Sequence, residues 1–102
     1  MREFEVIISP SAKQDIRSIL HYIAVERCEP EGARSWADAL HAAIEKLTQF
    51  PERYPVTATI DSGLRGTRKM PVGNYLVFYR IHPVKHTIDI ARVQHGHRNW
   101  KK

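Results

Sequence analysis

Cysteine is almost missing from this chain: Cys28 is the single one among 102 residues. One thiol excludes an intrachain disulfide framework and a cysteine-cluster zinc site, and it fits a reducing compartment. Long apolar runs are missing as well. With tyrosine set aside, no run exceeds three residues, as at Val6-Ile7-Ile8. A membrane-spanning helix needs about 20, so none is expected. The N-terminal Met1-Arg2-Glu3-Phe4-Glu5 carries acidic residues where a signal peptide carries only positive ones, which argues against secretion. No glycine loop of the phosphate-cradling kind is present. Gly63-Leu64-Arg65-Gly66 has neither the strand–loop–helix setting nor a Lys-Ser/Thr ending. There is no internal repeat, and the length suits one domain over 1–102. The expectation is a cytoplasmic protein without a membrane segment.

Charge, by contrast, is abundant and unevenly spread. The net charge is +5. Residues 1–50 hold six Lys/Arg and eight Asp/Glu, a net −2, whereas residues 51–102 hold ten and three, a net +7. A basic C-terminal half predicts an acidic partner: nucleic acid, ribosome or acidic protein.

The pattern of apolar residues predicts β-α-α-β-β-β. Phe4, Val6 and Ile8 alternate with Glu3, Glu5 and Ile7, the period of a half-buried strand. Ser9-Pro10 then reads as an N-cap and first helical position. Ala12, Ile16, Ile19, Leu20 and Ile23 form one stripe at helical spacing. Pro30 breaks that helix. A second helix over about 31–50 carries Ala33, Trp36, Ala37, Leu40, Ile44 and Leu47, and Pro51 ends it. A short extended piece is expected at 56–60 and a basic strand at 64–70. Val72-Gly73-Asn74-Tyr75 predicts a hairpin turn, because glycine and asparagine tolerate positive φ. Residues 75–81 read as an interior strand. Residues 87–93 read as a last strand, with Ile88, Ile90 and Arg92 on one face and Asp89, Ala91 and Val93 on the other. The expected fold is α+β, with a helical hairpin on one face of a mainly antiparallel sheet.

Six histidines raise the question of a metal. His95 and His97 lie two apart, and His82 and His86 four apart across a turn. No acidic residue near the tail pair completes a set of three ligands, so no metal site is expected. Asp38, His41 and Glu45 share a helix face that reads as solvated polar surface. The cluster with chemical promise is basic: Arg65, Arg68 and Lys69 on one strand, Arg80 on the next, then Arg92, His95, His97 and Arg98. It predicts an anion-facing or acidic-protein-facing surface. Few aromatics interleave these charges, which weakens single-stranded nucleic-acid binding.

The segments FEVIISPSAKQDIRSILHYIA, AIEKLTQFPERYP, GLRGTRKMPVGNYLVFYRI and IARVQHGHRNW resemble, in this order, the ParE branch of the RelE/ParE toxins of bacterial type II toxin–antitoxin systems. The resemblance spans the whole chain. It implies a helical hairpin on an antiparallel sheet, no cofactor, and neutralisation by an acidic antitoxin. It also implies one of two activities. ParE-type members inhibit DNA gyrase, whereas RelE-type members cut mRNA in the ribosomal A site. The nucleases usually carry an arginine directly after the tyrosine of the third-strand motif. Here that position is Leu76, which cannot donate to a phosphate, and no tail tyrosine follows. The resemblance therefore favours a gyrase-binding, non-enzymatic toxin that does not read DNA sequence alone. Arg92, His95, Arg98 and Trp100 are then the expected target contacts, and Arg65, Arg68, Lys69 and Arg80 the expected antitoxin contacts. The alternative is a ribosome-dependent ribonuclease using His95, His97 and Arg98 beside Arg65 and Lys69, because histidine can serve as a general acid.

Overall fold

The computed structural model describes residues 3–56 and 64–96. The chain opens with strand β1 (Glu5–Ile8) and helix α1 (Pro10–His21), which continues as a π-helical turn over Tyr22–Glu26. Helix α2 (Pro30–Gln49) follows, then a 3-10 turn over Pro51–Arg53 and strands β2 (Arg68–Val72), β3 (Tyr75–His82) and β4 (Thr87–His95). The sheet order is β1-β4-β3-β2. β2, β3 and β4 run antiparallel, and β1 lies parallel to β4. The helical hairpin connects β1 at one edge of the sheet to β2 at the other, crossing one face on the way. The predicted α+β order is the observed one.

Local chemistry places the helices. The Ser9 hydroxyl accepts from the Ala12 N–H at 3.0 Å and donates to the Ala91 carbonyl at 2.9 Å. The residue that starts α1 therefore also ties it to β4. Cys28, exposed, takes φ 54 just past the π turn, a left-handed residue that ends the helical run before α2 starts at Pro30. The apolar stripes meet the sheet as their spacing requires. Ala12, Ile19 and Ile23 from the first, and Ala33, Trp36, Leu40 and Leu47 from the second, pack on Met70, Val72, Val77, Tyr79, Ile88, Ile90 and Val93. Tyr79 is fully buried and donates its hydroxyl to the Pro51 carbonyl at 2.6 Å. That bond pins the end of α2 to the centre of the sheet. Burial pushes its pKa up to about 12.

Three expectations need correction. The basic strand starts at Arg68, not Leu64. The Thr67 N–H and hydroxyl both donate to the Leu64 carbonyl, at 3.1 and 2.6 Å, closing a turn through Gly66 at φ 82. The alternation of the last strand fails at a bulge. The register pairs Phe78 with Arg92 but Tyr79 with Ile90, leaving Ala91 as the extra residue. Val93 thereby turns into the core, 2% exposed, instead of sharing a face with Asp89. In the hairpin turn only Gly73 has positive φ, at 59°, and Asn74 does not. Glycine at the first central position is the requirement of a II′ turn. Of the extended piece, Val56 bridges Arg68, and 57–60 lie outside the described residues.

Candidate interaction surfaces

The sheet separates the basic residues that the sequence groups together. Along β2, Met70 and Val72 join the core beneath the helices, so Arg68 shares their side and Lys69 takes the other. Arg68 donates to the Tyr54 carbonyl at 2.6 Å and bridges the loop after α2 to the sheet edge. Arg65 sits exposed in the preceding turn, and its carbonyl accepts from Arg80 at 3.2 Å. Arg65, Lys69 and Arg80 therefore stay together, at the face turned away from the helices, while Arg68 leaves the cluster. Phe78 and Leu64 are buried outside the helix-side core, and Phe78 lies across the strand from Lys69.

Leu76 belongs to this second face, opposite Gln94 and Pro71. An aliphatic side chain there offers no hydrogen bond to a phosphate.

His95 lies on the other side. It pairs across the strands with Tyr75, and their rings meet edge to face at 5.1 Å. Tyr75 in turn meets Trp36 at 5.3 Å, and the Trp36 indole donates to the Val72 carbonyl at 3.0 Å. This aromatic row runs along the end of the sheet, beside the π turn and the start of α2. The structure thus does not bring His95 together with Lys69, because they occupy opposite faces. His97, Arg98 and Trp100 lie outside the described residues.

Arg92 is held by Asp15 of α1. Its Nε donates to Asp15 Oδ2 at 2.7 Å and its Nη2 to Oδ1 at 3.0 Å, while the Val93 N–H donates to Oδ2 at 2.9 Å. The reason is topological. β1 stops at Ile8, opposite Ile90, so the edge of β4 beyond that point has no strand beside it. α1 passes there, and a carboxylate satisfies the exposed N–H. Asp15 escaped notice in the sequence although a signal exists: it lies three residues after Ala12 and four before Ile19, an acid on the buried stripe.

Two other features were not foreseen. His82 Nε2 lies 2.7 Å from Asp89 Oδ2, joining β3 to β4 beyond Arg80. At the opposite end of the sheet from Trp36, a 560 Å³ cleft lies between the end of α2 and the β3–β4 turn, with Phe4, Phe50, Ile81 and Pro83 in its walls. Phe50 is 67% exposed there. Among the described residues no three His, Cys, Asp or Glu side chains converge to hold a metal ion. No described helix is long and apolar enough to cross a membrane.

What the arrangement offers is recognition by two differently built surfaces. One is basic and strand-borne, and the other is aromatic and lies between helices and sheet. A family model described as the ParE toxin of the type II parDE toxin–antitoxin system matches residues 6–100. A search of curated proteins by sequence finds no significant match. Among solved structures, the chain is similar to one in the RelBE2 toxin–antitoxin complex of Mycobacterium tuberculosis. That match has 25% identity and a TM-score of 0.61, covering 91% of this chain and 98% of the other. It is also similar in fold to a chain of the chromosomal ParDE toxin–antitoxin system of P. aeruginosa. There the identity is 17% and the TM-score 0.67, over 91% of this chain and 96% of the other.

Proposed function

The chain belongs to the ParE toxin family of type II toxin–antitoxin systems, and from that membership we propose that it arrests growth by binding DNA gyrase until a cognate antitoxin neutralises it. The observation that carries this reading is Leu76. It stands on the sheet face that also holds Lys69 and Arg80, at the position where the nuclease branch would place an arginine. A ribonuclease must stabilise charge developing on the scissile phosphate and must move a proton from the attacking hydroxyl. Leu76 contributes to neither, and His95 stands on the opposite face from Lys69. A protein that binds its target needs no such convergence. The aromatic row and the end of β4, with Arg92 and His95, then serve as target contacts, together with Arg98 and Trp100. Lys69, Arg65 and Arg80 serve as antitoxin contacts, and Arg68 supports the fold they stand on. Localisation in the bacterial cytoplasm follows from those partners.

The direct test is supercoiling of relaxed plasmid by purified gyrase with added protein. Inhibition or accumulation of cleaved DNA is expected, with relief on adding the antitoxin. Unaffected supercoiling together with mRNA cleavage on purified ribosomes would replace this reading with the ribonuclease one. The likeness to a RelBE2 chain makes the ribosomal arm worth running in parallel. In that arm the ribonuclease reading requires His95→Ala to weaken cleavage, and unchanged cleavage would exclude His95 as its general acid.

A further inference from the structure

The two edges of the sheet end differently. On β2 the outward positions are Lys69 and Pro71. The Lys69 N–H donates to the Pro55 carbonyl at 3.4 Å, and Pro71 has no N–H to offer. β1 is not closed in this way. Its Glu5 and Ser9 N–H groups donate inward, to the His86 and Ile90 carbonyls on the β4 side, both at 3.0 Å. Alternation along the strand then turns the N–H and C=O groups of Val6 and Ile8 outward. Among the described residues those groups form no hydrogen bond. The open stretch is sharply bounded. The Phe4 N–H, next in the outward series, donates to the Thr48 carbonyl of α2 at 3.1 Å, and Pro10 at the other end has none.

The side chains along this edge divide by face. Val6 and Ile8 pack against the core on the helix side. Ile7 takes the opposite face, paired in register with Asp89, and is 51% exposed. Soluble proteins usually guard such an edge with lysine or proline, and here an isoleucine stands at its centre. Glu5, at the start, is exposed. At the other end Ser9 caps α1, whose first turn contains no acidic residue and exposes Lys13.

We propose that β1 pairs with β1 of a second copy of this chain, antiparallel and about a two-fold axis at Ile7. The Val6 N–H then donates to the carbonyl of the partner's Ile8, the Val6 carbonyl accepts in return, and the axis repeats the exchange at Ile8. Ile7 meets the partner's Ile7 at the non-hydrogen-bonded position of the ladder, where side chains approach most closely. Three features select a second copy. The free groups lie symmetrically about Ile7, so one two-fold axis satisfies both ends at once. The outward series offers donors at Val6 and Ile8 alone, so a longer foreign strand gains no further donor from it. The charges set the direction. Antiparallel pairing holds the two Glu5 residues about 14 Å apart along the strand, beyond the ~8–10 Å reach of charge in salt. It also sets each Glu5 opposite the partner's Ser9, at the start of a helix where negative charge is favourable. Parallel pairing would make the two glutamates neighbours. The two sheets become one continuous sheet through a small interface, so the association is weak and concentration-dependent. None of this rests on the toxin reading above.

The test is sedimentation velocity of the full chain from about 10 to about 500 µM, the range in which so small an interface dissociates. The average sedimentation coefficient is expected to rise towards that of a dimer, with amide exchange at Val6 and Ile8 slowing over the same range. Ile7→Lys and Ile7→Glu should each weaken association at least about tenfold, because each sets like charges across the axis. Their equimolar mixture should associate at least about tenfold more tightly than either alone, a rescue that requires position 7 to face position 7. Ile7 is half exposed, and unchanged thermal midpoints verify that both variants fold. Val84→Ser, which removes a 99% exposed side chain from the β3–β4 turn, should leave association unchanged. A monomer at every concentration overturns the proposal. So does association that survives Ile7→Lys or is abolished by Val84→Ser, and so does a mixture no tighter than its components. Protection of Val6 and Ile8 that appears only on adding the acidic protein encoded beside this gene would assign the edge to that protein and overturn self-pairing as well.

Discussion

Asp15 does more for this molecule than its exposure suggests. One carboxylate closes the free edge of β4, fixes Arg92 and joins α1 to the sheet beyond the point where β1 has ended. Its side chain is 15% exposed against 41% for Arg92, so removing the acid leaves a half-buried guanidinium and an N–H without their acceptor. Asp15→Ala should lower stability by ~2–3 kcal/mol in urea unfolding, and Asp15→Asn by less, because one amide oxygen still accepts. Arg92→Ala should cost less than Asp15→Ala, since water can reach part of that site. Tyr79 makes a second residue-level argument, through pH. Its folded pKa is about 12 against an unfolded 10.0. The unfolded chain loses that proton first, so this contribution to stability is fully present below pH 10. It is lost as pH rises towards 12. Tyr79→Phe removes both the titration and the bond to Pro51. The stability gap between wild type and Tyr79→Phe is therefore expected to be constant at neutral pH and to shrink between pH 10 and 12, measured by denaturant midpoints at each pH.

At the scale of elements, strands and helices were legible where one period ran unbroken, and illegible where a single residue broke it. The stripes of α1 and α2 kept a helical spacing because both bury one face on one sheet. Thr87–His95 did not keep a period of two, because Ala91 is inserted at the bulge and the following residues change sides. A tertiary event, the end of β1 at Ile8 and the arrival of α1, accompanies that bulge, and no local pattern announces it. The same limit explains Arg68. Its charge placed it with Lys69 in the sequence, while alternation along β2 placed it against the loop at Tyr54. The hairpin between β2 and β3 was legible because its chemistry is local. Gly73 stands at φ 59, and a Cβ there would come within 3.3 Å of Trp36 Cδ1. Gly73→Ala therefore combines backbone strain with a close approach to a packed indole, and should cost ~1–3 kcal/mol. Gly66, at φ 82 with open space around it, has the strain alone. Gly66→Ala should cost only ~1 kcal/mol. Thermal unfolding of the two variants side by side reads the difference.

At the scale of the whole molecule, the uneven charge along the chain becomes an uneven charge in space, but not by simple translation. The basic half builds β2, β3 and β4, yet two of its arginines serve the fold: Arg68 clips a loop, and Arg92 answers Asp15. Arg65, Lys69 and Arg80 remain together on the face turned away from the helices. The candidate antitoxin contacts were thus readable as a set of charges and unreadable as a surface, since the face each residue takes depends on strand register. That division makes charge reversal a discriminating measurement. Long-range attraction between a basic face and an acidic antitoxin acts mainly on association and is screened by salt over ~8–10 Å. Lys69→Glu combined with Arg80→Glu should slow association with the antitoxin by ~10-fold or more at low salt and flatten its salt dependence. The midpoint of unfolding should change little, provided the Arg80 contact with the Arg65 carbonyl contributes as a partly exposed bond does. Arg68→Glu should behave in the opposite way. It removes a donor from the Tyr54 carbonyl and sets a carboxylate against it, so stability falls while the association rate of the folded fraction stays near that of wild type. Were Arg68→Glu to slow association as strongly as the double reversal, the antitoxin would have to reach the loop at Tyr54. The split of the basic cluster into a binding face and a structural clip would then be wrong.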